Sequence, residues 1–196
     1  MFRRSLNRLR YPVELGKAVI EIQVENIQQL FDERDPAPFR ERDLDDDAVE
    51  YIDLAAQEIG IDRVGKIRII VNSDTVLDSV VIKKAVNSFF EYESQIAARK
   101  IGLNLRGGFV SLMIGLVFLT GSIIASLLFV RSNNFMSLFL KEGLLLTGWV
   151  SMWRPINVFL YEWWPYAELK KRYFGLSQVD VEIVVKHTEF KLKEGH

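Results

Sequence analysis

The segment GGFVSLMIGLVFLTGSIIASLLFV, Gly107 to Val130, runs for 24 residues without a charged side chain. About 20 apolar residues cross a bilayer core as a helix. A helix that is apolar on every side needs either lipid or a large protein around it. A chain of 196 residues is too small to wrap such a helix completely. The run therefore predicts a transmembrane helix rather than the buried helix of a soluble protein.

A second apolar stretch follows the short polar turn RSNN, Arg131 to Asn134. It reads FMSLFLKEGLLLTGWVSMWRPINVFLYEWWP and carries Lys141, Glu142 and Arg154 before Glu162. Placing a second span at about 138–160 puts Lys141 and Glu142 near one interface and Arg154 near the other. The short turn makes the pair an antiparallel hairpin. Arg99, Lys100 and Arg106 precede the first span, and Lys170, Lys171 and Arg172 follow the second. Only Arg131 and Lys141 lie between them. By the positive-inside rule both chain ends face the cytoplasm. The opening MFRRSLNRLR lacks the apolar core and cleavage site of a signal peptide.

Hydrophobic residues make up 49% of the chain and charged residues 26%. Since the apolar spans supply much of the first figure, the remainder has the composition of a soluble domain. KAVIEIQVEN alternates Ile20, Ile22 and Val24 with Glu21, Gln23 and Glu25, the pattern of a half-buried strand. RDLDDDAVEYIDLAAQEIG reads as a helix. Acidic residues fill its first turn, Val49, Ile52 and Ala56 give an apolar stripe, and Gly60 ends it. KIRIIVN is a second strand, and the strand–helix–strand order predicts parallel pairing. Thr75 and Asp78 have capping-box spacing at the start of a long helix leading to the first span, with Gly102, Gly107 and Gly108 as bend positions. QVDVEIVVKHTEFKLK alternates again and supplies a third strand.

The expected fold class is α+β: a small cytoplasmic sheet-and-helix domain interrupted by a two-helix transmembrane hairpin. Residues 1–12 form a basic arm, 13–106 the cytoplasmic domain with its long helix, 107–164 the hairpin (about 107–130 and 138–160), and 165–196 the return with the last strand.

Arg154-Pro155 interrupts the second span. On a helix, Gly143, Thr147, Ser151, Arg154, Asn157 and Tyr161 form one small-and-polar stripe, continued by Glu162. Pro155 lacks a backbone donor and frees the Ser151 carbonyl, which predicts a kink. Two readings follow. Arg154 is an interfacial anchor reaching lipid phosphate or a carboxylate of the cytoplasmic domain, or the stripe lines a pore or ion path between subunits. Trp153, Tyr161, Trp163, Trp164 and Tyr166 favour the anchor, because Trp and Tyr prefer the membrane–water boundary. The same aromatics could instead form a ligand box, for which nothing but residue type speaks. Ser111 and Gly115, Gly121 and Ala125, and Ser122 and Ser126 have the small-xxx-small spacing that lets helices approach closely, within the hairpin or between copies.

Other stretches carry less. Counted from Asp43, an EF-hand loop would need Gly and Glu where Ala48 and Leu54 stand, so DLDDDAVEYID reads as a helix start, not a metal site. Phe2, Leu6 and Leu9 against Arg3, Arg4, Arg8 and Arg10 fit a short interfacial helix on anionic lipid or a disordered basic tail. There is no cysteine, and both histidines, His187 and His196, lie in the last ten residues. With no nucleophile motif, P-loop or dinucleotide fingerprint, neither catalysis nor a cofactor is expected. A net charge of −1 gives no electrostatic case for nucleic acid.

DPAPFRERDLDDDAVEYI and EGLLLTGWVSMWRPINVFLYEWWP together resemble a family of uncharacterised bacterial integral membrane proteins with two spans and a cytoplasmic α+β part. The resemblance implies that topology and a bacterial inner membrane, and no site residues. The expected protein is thus a non-enzymatic membrane protein anchoring an interaction or scaffold domain. Its expected partners are the bilayer with its anionic inner-leaflet lipids, and a homo-oligomer or another protein. An oligomeric channel or transporter component using the Arg154 stripe is the alternative, and a carboxylate-based membrane enzyme a third.

Overall fold

The computed structural model describes residues 10–32, 35–38, 42–72, 79–128 and 134–186. The basic arm before Arg10, the Thr75–Asp78 capping pair, most of the RSNN turn, and both histidines lie outside these residues. The chain is mixed helix and sheet and divides into two compact units, Met1–Gln95 with Lys170–His196, and Ile96–Leu169.

The first unit is built on a four-stranded sheet in the order β1-β2-β3-β4, comprising β1 (Val13–Glu14), β2 (Lys17–Val24), β3 (Val64–Val71) and β4 (Asp180–Val185). β2, β3 and β4 are mutually parallel, with Ile20 opposite Ile67 and Ile67 opposite Val181. Helix α1 (Asp46–Ile59) connects β2 to β3, as the strand–helix–strand reading requires. Asp45 caps it by accepting from the Asp47 amide at 3.1 Å, and Gly60 ends it at φ 86°. Its buried stripe is Ala48, Ile52, Ala55, Ala56 and Ile59. Val49, expected on that stripe, is only half-buried.

The short strand β1 was not expected. Val13 pairs with Ala18 and Glu14 with Lys17, leaving Leu15 and Gly16 as a two-residue turn. Both turn residues have positive φ, 50° and 81°. That sign at both positions matches the right-handed strand twist, but it favours Asn or Gly over Leu. Leu15 is fully exposed and gains nothing from burial.

α2 (Ser79–Leu128) is one uninterrupted helix of 50 residues, continuous through Gly102, Gly107 and Gly108. Its first part gives Ile82, Ala85, Val86 and Phe90 to the core of the first unit. α5 (Trp164–Ser177) adds Tyr173 and Leu176, with the Tyr173 ring 5.7 Å from Phe90. Burial, helped by Asp53 and Glu93, pushes the Tyr173 hydroxyl up to about 12. Arg172 on α5 forks onto Asp53 of α1 at 2.9 and 3.2 Å, and both groups are mostly buried.

The opposite face of the sheet is charged. Strand alternation places Arg68 in one row with its register partners Glu21 and Glu182. Arg68 reaches Glu21 at 2.7 Å, Glu182 at 2.8 Å, and also Glu14. Lys66 bridges Glu14 at 2.7 Å and Glu182 at 3.3 Å. Hydrogen bonds from Lys66 and Arg68 hold Glu14 below the usual carboxylate range, and those from Arg68 and Lys66 do the same for Glu182. The Lys66 ammonium is raised, chiefly by Glu14 and then Glu182.

In the second unit, the later part of α2 is the one described helix long and apolar enough to cross a membrane by length and composition. The expected second helix over 138–160 is not a single helix. α3 (Phe135–Ser151, 17 residues) stops at Met152, α4 (Trp153–Asn157) follows, and Val158–Glu162 forms a π-helical turn before α5. The cause lies in the sequence. Pro155 cannot donate to the Ser151 carbonyl, so the ladder breaks there, and the Met152 amide turns back to Trp149 at 3.0 Å.

Candidate functional site

Small residues set the geometry of the second unit. A Cβ added to Gly108 would stand 2.6 Å from Val158, one on Gly115 3.1 Å from the Ser151 carbonyl oxygen, and one on Gly148 3.0 Å from Ser122. As the α2 number rises, its partner's falls, so the second apolar segment packs antiparallel to α2. Gly108, Gly115 and Ser122 recur every seven residues, the step of a helix–helix seam. Ser126 is buried on the same side of α2. Of the expected packing residues, Gly115 is on the seam and Ser111 and Ala125 are half-buried. Gly121 has nothing within 4 Å of a Cβ position. The pair that does pack at this level is Ser122 and Ser126, and Gly108 and Gly148 join them. The seven-residue spacing of Gly108, Gly115 and Ser122 was visible in the sequence.

The large apolar side chains point outward. Phe109, Ile114, Val117, Phe118, Ile124 and Leu127 on α2 are all exposed, as are Phe139, Leu146, Trp149 and Val150 on α3. Only 17% of the most apolar window is buried. Thus the seam is small and partly polar, and the surface is apolar.

The break in the second segment gathers its polar groups. Arg154 forms an ion pair with Glu162, and Asn157 donates to the same carboxylate oxygen at 3.0 Å. Asn104 of α2 donates to the Glu162 backbone carbonyl at 3.3 Å. On a regular α-helix, residues eight apart are offset by about 80° around the axis and about 12 Å along it. The wider π turn, with i→i+5 bonding, rotates Glu162 back toward Arg154. Higher on the stripe, the Thr147 hydroxyl donates to the Gly143 carbonyl at 2.7 Å, and Ser151 to Gly148 at 2.6 Å and Gly115 at 3.3 Å. Thr147, Arg154, Asn157 and Tyr161 on the stripe are exposed, while Gly143, Ser151 and Glu162 are half-buried.

The aromatic residues cluster around this junction. Trp153, Tyr161 and Trp164 are exposed, and Trp163 and Tyr166 are half-buried. Trp163 donates to the Phe159 carbonyl at 2.8 Å and stacks on Trp164, with ring centroids 6.1 Å apart. Three of the five rings are exposed and two half-buried, and they are spread over more than three helical turns.

The basic run after the second segment is partly committed elsewhere. Lys171 lies 3.5 Å from Asp62 and Arg172 is bound to Asp53, whereas Lys170 is exposed. Among the described residues no group of three or more His, Asp or Glu side chains is arranged to hold a metal. Comparison with protein-family models, curated proteins and solved structures finds no match for this chain, so its reading rests on its own residues.

Proposed function

We propose that this is an integral membrane protein whose two apolar segments cross the bilayer as an antiparallel hairpin and anchor the α+β unit at the cytoplasmic face. One observation carries this reading. The helix pair buries Gly and Ser and exposes Phe, Leu, Ile and Val. In water that arrangement would leave the main driving force for folding unused. In lipid it is the expected one, because helices there gain by close backbone approach while their large apolar residues meet acyl chains. The break at Met152 supports a location near the membrane boundary, where polar backbone and an Arg–Glu pair are tolerated. The exposed Trp and Tyr side chains suit the same depth. On this reading both chain ends lie in the cytoplasm, and the resemblance to two-span bacterial proteins argues for an inner membrane. The α+β unit acts by contact with protein partners, not by catalysis.

Alkaline carbonate extraction tests the membrane assignment. The protein should remain in the pellet and be released by detergent alone. Release by carbonate would overturn it.

A homo-oligomeric channel or transporter component is the second reading, favoured by the exposed Arg154, Asn157 and Tyr161. Against it, Glu162 pairs with Arg154, and the Thr147 and Ser151 hydroxyls are satisfied within the chain. Native mass spectrometry from membranes separates the two. A closed ring of subunits supports the channel, and a monomer excludes it.

A further inference from the structure

The α+β unit contains a cleft of about 650 Å3 that the membrane reading leaves unused. That volume is typical of small-molecule sites. One wall is the segment leading into α1, which supplies Asp35, Arg42 and Asp43. The other is α2, where Lys84, Ser88 and Tyr92 recur every four residues and share one helix face. Ala85 and Phe89 lie beside them and add apolar lining.

The polar groups of this cleft are unevenly used. The Asp35 carboxylate is occupied: it accepts from the Ala37 amide at 2.9 Å and from the Asp43 amide at 2.8 Å. These bonds, with Arg42 nearby, hold it below its ordinary range. Its task is to shape the segment. The Nε of Arg42, by contrast, is buried without a hydrogen-bond partner. A buried charged donor left without an acceptor is costly and rare in native proteins. Lys84 makes no ion pair among the described residues. Arg42 and Lys84 thus bring two cationic side chains to a cleft that Ala85 and Phe89 also line. Asp43 also lines it, and burial and the neighbouring Asp35, Asp32 and Asp46 push its carboxyl up. Its charge and that of the ionised Asp35 together oppose a second negative charge on anything bound here.

We propose that this cleft binds a small organic monoanion with a flat apolar body. The anionic oxygens accept from the Arg42 guanidinium and Lys84, and the apolar body lies on Ala85 and Phe89. Ser88 and Tyr92 supply hydroxyls at the edge. A carboxylate and a phosphodiester share this chemistry, and the probes below distinguish them.

The test uses the full chain in nanodiscs of phosphatidylcholine. The probes are 2-naphthoate, methyl 2-naphthyl phosphate, 2-naphthyl phosphate, 2-naphthol and 2-naphthylmethylammonium, at about pH 8, where the monoester is a dianion. Binding is read as the difference between wild type and Arg42→Gln in the same lipid, which removes partition into the bilayer. At least one of the two monoanions should bind, and whichever does names the class. The alcohol and the cation should bind at least about tenfold more weakly, as should the monoanion to Arg42→Gln. Lys84→Gln, at an exposed position, should weaken it several-fold. Asp43→Asn should tighten monoanion binding and admit the dianion, an effect that a merely structural role would not produce. Thermal unfolding checks that each variant is folded. Should Arg42→Gln not fold, Lys84→Gln and Asp43→Asn decide. No monoanion binding to wild type, a preference for the cation, or equal binding by wild type and the folded variants would overturn the proposal.

Discussion

The Ser151 hydroxyl donates to the Gly115 carbonyl at 3.3 Å, and a Cβ on Gly115 would stand 3.1 Å from the Ser151 carbonyl oxygen. The two apolar segments therefore meet backbone to backbone, with no room for a side chain between them. Gly115→Leu should force them apart and cost about 1–3 kcal/mol. Gly121→Leu, with open space around it, should be near neutral. Unfolding in mixed micelles with rising SDS fraction measures both.

Arg154 and Glu162 form a pair that the π turn makes possible. Removing either partner leaves the other charge unpaired in an apolar setting. Arg154→Gln and Glu162→Gln should each destabilise by about 1–2 kcal/mol. The double variant should cost clearly less than the two singles added, because it removes both charges together. The same micelle titration gives the coupling.

The charged face of the sheet makes stability depend on acid. Glu14 and Glu182 titrate lower in the folded chain than in the unfolded one. As pH falls below about 4.3 the unfolded chain takes up protons first, so the contribution is fully present above that pH and is lost progressively below it. Denaturant titrations of the full chain in detergent between about pH 3 and 6 should show this loss. Arg68→Met should flatten the acid limb. It should also lower stability near neutrality, since Glu21 would lose its cation and Glu14 and Glu182 would keep only Lys66.

Leu15 occupies a positive-φ turn position and is exposed. Leu15→Asn should stabilise the first unit by about 0.5–1 kcal/mol, because Asn tolerates that conformation and no buried contact is lost. Thermal unfolding of the two forms measures the gain. A loss of stability would show that the exposed Leu has a contact in solution.

Much of the sheet was legible because its signals are local. The alternation of Ile20, Ile22 and Val24, the acidic first turn before Ala48 and the stop at Gly60 each reside in a few adjacent residues. β1 was not legible because Leu15 stands where a hairpin turn normally advertises itself with Asn or Gly. The break in the second apolar segment was signalled by Pro155. The partner of Arg154 was not, since an eight-residue separation matches no α-helical neighbour until a π turn intervenes. The Gly108, Gly115 and Ser122 series is regular in the sequence, but four-residue pairs such as Gly121 and Ala125 look equally good until the facing segment is known. The cleft with Arg42 and Lys84 joins residues some forty positions apart and leaves no local trace.

The hairpin itself is tested most directly by sidedness. The chain contains no cysteine, so single cysteines report without background. Asn134→Cys, at the start of α3, should react with a membrane-impermeant maleimide added to intact cells. Gln57→Cys on exposed α1 and Lys186→Cys after β4 should react only once the membrane is opened. Labelling of Asn134→Cys from the same side as Gln57→Cys would contradict a membrane-crossing hairpin.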